Sequence, residues 1–124
     1  MTTKRLAQLQ WFALLGGALG LGVAQTLGFG LTLAQCNIGS GRWGIANDPW
    51  EAALLSTAAA VMVLAAAASA TVIARTQSVS YEDDPPLSRI RFFAIAALVA
   101  NVLYTGIVML DLLGNLLNSA CRGA

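Results

Sequence analysis

Three long apolar stretches, each closed by polar or charged residues, organise the chain. The first runs from Trp11 to Leu33 and is interrupted only by Gln25, Thr26 and Thr32. The second runs from Ala52 to Ala74 and the third from Phe92 to Leu110, with no charge inside either. Each reaches the ~20 residues that a helix rising 1.5 Å per residue needs to cross a ~30 Å hydrocarbon core. A helix satisfies its own backbone in lipid, which an open strand does not. The pattern therefore predicts an all-α membrane protein of three transmembrane helices, over about 11–34, 51–74 and 91–113. These form one unit over residues 1–124, with an outer loop at 35–50 and a cytoplasmic loop at 75–90. Lys4 and Arg5 before an apolar run also suit a cleaved signal peptide. Signal-peptide cores, however, span only about 7–15 residues and end at a small-x-small site. The first run is longer and glycine-rich, so it reads as an uncleaved span.

Composition points the same way. Of the 124 residues, 57% are hydrophobic and only 10% charged, against about 25% charged in soluble domains. The net charge of +1 gives no electrostatic case for nucleic acid. Histidine is absent, which removes most haem ligation, most zinc catalysis and every Ser-His or Cys-His nucleophile. No cofactor, metal site or catalytic residue is expected, and the chain reads as a non-enzyme.

The positive charges set an expected orientation. Lys4, Arg5, Arg75, Arg89 and Arg91 flank the N-terminus and the second connection, whereas the first connection and the tail hold only Arg42 and Arg122. Positive flanks stay cytoplasmic and acidic residues count for little, so Glu82, Asp83 and Asp84 leave the assignment intact. The N-terminus is expected inside and the C-terminus outside. Trp11, Trp43 and Trp50 fall where interfacial aromatics belong. The first connection is rich in turn formers, and Asp48 with Pro49 reads as an N-cap and first position of the second helix. Pro85 and Pro86 favour an extended lead into the third.

Cys36 and Cys121 both follow outer helix ends, in a compartment where disulfides persist. A bridge would clamp the first helix to the third; two free thiols are the alternative. Gly16, Gly20, Ala24 and Gly28 recur every fourth position and form a small-residue stripe, which suits close approach of another helix. That helix is either one of the other two spans or a larger membrane partner. Gln25 and Asn101 are the deepest polar residues, and an amide in hydrocarbon needs a partner. An interhelical bond worth about 0.6–2 kcal/mol is the simpler use, and contact with a cofactor, quinone or partner subunit is the other. Asp111 sits near the outer interface, where an anchor or a partner for Arg42 or Arg122 fits better than a proton carrier. Arg89 and Arg91 read as topology determinants that snorkel to headgroups.

Known three-span architectures narrow the field. Haem-bearing succinate dehydrogenase anchors need a histidine, and small proton-channel subunits of complex I need embedded glutamates. Small multidrug exporters use four spans with a glutamate in the first. None of these fits. Trp11, Leu15 to Gly17, Gln25, Gly28 and Gly30 lead into Cys36. Trp50-Glu51, Arg91-Phe92, Asn101 and Cys121 follow. With these residues the chain resembles a loose family of small three-span proteins encoded beside haem–copper cytochrome c oxidases in bacteria. Members usually carry proline after the first glycine, where Gly17 stands here. The resemblance implies an accessory subunit or assembly partner of a respiratory complex in the bacterial inner membrane. Its partners would be a larger haem-containing membrane complex and lipids, with no nucleic acid. A small oligomeric transporter or quinone-binding anchor is the reading from another class.

Overall fold

A computed structural model describes residues 1–36 and 47–117, with side chains described over 1–34 and 49–117. Three helices account for nearly all of it: α1 (Thr3–Cys36), α2 (Asn47–Arg75) and α3 (Leu87–Leu117). All three are long and apolar enough to cross a membrane. The architecture is the expected all-α one, and the chain is a multi-pass membrane protein by the length and composition of its helices. Each helix outruns its apolar segment, because a helix does not stop where lipid gives way to headgroups. α1 begins at Thr3 and carries Lys4, Arg5, Gln8 and Gln10 on its first turns. The connections are correspondingly shorter than the apolar boundaries suggest. α2 begins at Asn47, so Asp48 and Pro49 are its second and third residues rather than its N-cap and first position, and the Asp48 side chain lies outside the described residues.

α1 runs antiparallel to α2 and parallel to α3. The pairs are fixed by Gly20 against Val61 and Gly28 against Leu54 on one side, and by Asn101 bonded to Ala13 on the other. The end where α1 begins, α2 ends and α3 begins is called proximal here; the opposite end is distal. The proximal core is built from Leu6, Val72, Ile90 and Ala94. A middle layer of Ala13, Ala68 and Ala97 brings the backbones close. The distal core joins Ala24, Leu55, Ala58, Met62 and Val108. Interfaces of alanine and glycine follow from the medium. Lipid tails are as apolar as leucine, so association relies on close packing and hydrogen bonds. The large apolar side chains point outward instead: Leu19 is 64% exposed, Phe29 68% and Leu110 71%. Such a surface is badly matched to water and well matched to acyl chains.

Seven hydroxyls in or just past the spans are satisfied locally. Thr26, Thr32, Thr57, Ser69, Thr71, Thr76 and Thr105 each donate to the carbonyl four residues earlier, which removes the cost of an orphan donor in lipid. The α2–α3 connection is held by Arg91. Its Nη1 donates to the Val79 carbonyl and, at 3.1 Å, to that of Gln77. The guanidinium also lies 5.3 Å from the Tyr81 ring centroid. Arg91 is thus turned back onto the chain rather than extended to headgroups, because two loop carbonyls and the Tyr81 ring face lie within its reach. Pro86 precedes α3 and accepts from the Ile90 amide at 3.0 Å, so the proline pair leads directly into the helix.

Candidate functional site

Two polar constellations stand inside the apolar bundle. The first joins α1 to α3 at mid-height. Asn101, 1% exposed, donates from Nδ2 to the Ala13 carbonyl at 2.7 Å. Its Oδ1 is buried without a partner among the described residues and lies hard against Gly17. A Cβ at position 17 would sit 1.7 Å from that oxygen. Gly17 is therefore the glycine whose missing side chain the bundle uses most directly. It is outside the every-fourth-residue stripe, so spacing alone does not single it out. Gln10, 4% exposed, is a second buried amide, and its Nε2 also lacks a partner among the described residues.

The stripe itself divides in two. Ala24 and Gly28 are buried, and a Cβ on Gly20 would touch Val61 at 3.5 Å. These positions serve packing of α1 on α2. A Cβ on Gly16 would meet only Phe12 of its own helix. Gly16 instead borders an open apolar cleft of about 360 Å3 between α1 and α2, with Leu19, Gly20 and Val61. A second cleft of about 510 Å3, lined by Leu27, Leu31, Trp50 and Ala53, continues it distally. Leu54 and Thr57 line both. The two form one groove along the α1–α2 seam.

The second polar constellation is distal, where all three helices meet around a cavity of about 340 Å3. Gln25 of α1 donates from Nε2 to the Asp111 carboxylate of α3. Asn115 of α3 donates from Nδ2 to the Glu51 carboxylate of α2 at 2.9 Å. Both carboxylates and Gln25 line the cavity, with Thr32 at its side. Gly114 leaves room there, since a Cβ on it would meet nothing within 4 Å. Gln25 and Asp111, considered separately in the sequence, are brought together. The pairing of Glu51 with Asn115 has only a faint sequence signal, a carboxylate beside an apolar run and an amide in the last turn of another helix. Chemically, two carboxylates each held by a carboxamide cross-link the helices and offer a negative lining. Among the described residues no group of three or more His, Cys, Asp or Glu gathers as a metal site.

No family model, curated protein or solved structure matches this chain. Its chemistry therefore rests on its own residues. Cys121 lies outside the described residues, and so does the side chain of Cys36, the last residue of α1. The bridge between them is untouched by the geometry above.

Proposed function

We propose that the chain is a non-catalytic accessory subunit that docks along its α1–α2 seam onto a larger integral membrane complex. The complex is of the respiratory, haem-bearing kind implied by the resemblance. The observation that carries this reading is the groove between α1 and α2. Its two stretches are apolar, continuous and left unfilled by the chain's own side chains, and small residues on its floor let a partner helix come close. The polar groups that could have suggested chemistry are engaged in holding the helices: Asn101 on Ala13, Gln25 on Asp111 and Asn115 on Glu51. In this reading the chain lies in the bacterial inner membrane with its N-terminus in the cytoplasm, as the positive flanks require. An assembly factor would use the same surface and leave once the complex is complete.

Affinity purification from native membranes, with the haem spectrum recorded, tests the proposal. The subunit should bring a haem-containing complex with it in fixed proportion. Thr57→Trp, which fills both parts of the groove from an exposed position, should lower that recovery about tenfold, equivalent to ~1.4 kcal/mol of docking. A protein recovered alone and colourless sinks the reading. The carboxylate-lined distal cavity favours a second one, a small oligomeric cation transporter, because ionisable residues in spans mark ion pathways by default. That protein would run as its own homo-oligomer and lose transport on Asp111→Asn.

A further inference from the structure

We draw no further inference here: the strongest candidate, the distal cavity lined by Glu51, Asp111 and Gln25, belongs to the site already described, and among the described residues nothing beyond its amide-bonded carboxylates points to a ligand.

Discussion

Gly17→Ala is the substitution on which the packing argument stands or falls. The new Cβ would lie 1.7 Å from Asn101 Oδ1 and 2.9 Å from its Cγ, far inside contact distance, so the carboxamide must move. Moving it breaks the bond from Asn101 Nδ2 to the Ala13 carbonyl, worth about 0.6–1.7 kcal/mol between helices in a membrane. Overpacking in a close-packed interface adds about 1–3 kcal/mol. Against these stands alanine's advantage over glycine in a helix, about 1 kcal/mol. The net expectation is a loss on the order of 1–3 kcal/mol. It can be measured as a shift in the denaturing-detergent midpoint of purified protein in mixed micelles, followed by circular dichroism. The mechanism also dictates a coupling. With Asn101→Ala in place the nearest remaining atom is Tyr104 Cδ2 at 3.4 Å, an ordinary contact. The added methyl should then cost nothing or stabilise slightly, giving non-additivity of about 1–2 kcal/mol. Gly22→Ala, where a Cβ would meet nothing within 4 Å, is the control and should not destabilise. Additive effects of Gly17→Ala and Asn101→Ala, or a Gly17→Ala protein as stable as wild type, would refute the reasoning.

Two further outcomes are expected. Arg91→Gln removes the guanidinium that holds the Gln77 and Val79 carbonyls and the Tyr81 ring. Amide hydrogen exchange over 77–81 should then accelerate on the order of tenfold while α2 and α3 keep their protection; unchanged exchange there removes Arg91 from this role. A bridge between Cys36 and Cys121 predicts a non-reduced mass lower by two hydrogens, and protection of both from a membrane-impermeant maleimide until a reductant is added from the outer side. Two reactive thiols without reductant would exclude the bridge, and labelling only from the cytoplasmic side would overturn the N-inside orientation.

The three helices were legible because lipid imposes a length and a composition on whatever crosses it, and both are properties of a window rather than of single residues. Their ends were not, since polar residues such as Gln8 and Gln10 continue α1 without interrupting its backbone bonds. Gln10 illustrates the limit. Nothing in its polar neighbourhood marks it as 4% exposed, because burial depends on where α2 and α3 cross α1. Gln25 and Asn101 stood out by being amides deep in apolar runs. Their actual partners, a side-chain carboxylate and a backbone carbonyl, depend on the register of α1 against α3, which the sequence pattern leaves free. Gly17 was hidden for the same reason. A four-residue repeat finds a stripe, whereas a single close approach is set by the one side chain opposite it.

The polar contacts are distributed unevenly, and the unevenness bears on where a partner would enter. Four α3 side chains reach across the bundle: Asn101 and Asp111 to α1, Asn115 to α2, and Arg91 to the connection from α2. α3 thereby acts as a spine, gripped near each end and at mid-height. The α1–α2 contacts named above, Gly20 on Val61 and Gly28 on Leu54, are apolar and involve small or flexible groups. Apolar contacts between helices are held by close packing alone, because lipid tails offer the same groups an equally apolar neighbour. Separating α1 from α2 by a small amount at that seam costs packing alone, while separating either from α3 also breaks hydrogen bonds in a medium that offers no replacement. The groove lies along a seam whose named contacts carry no hydrogen bond. A partner helix of the kind proposed, entering there, would pack against the seam while the hydrogen bonds that α3 makes stay in place.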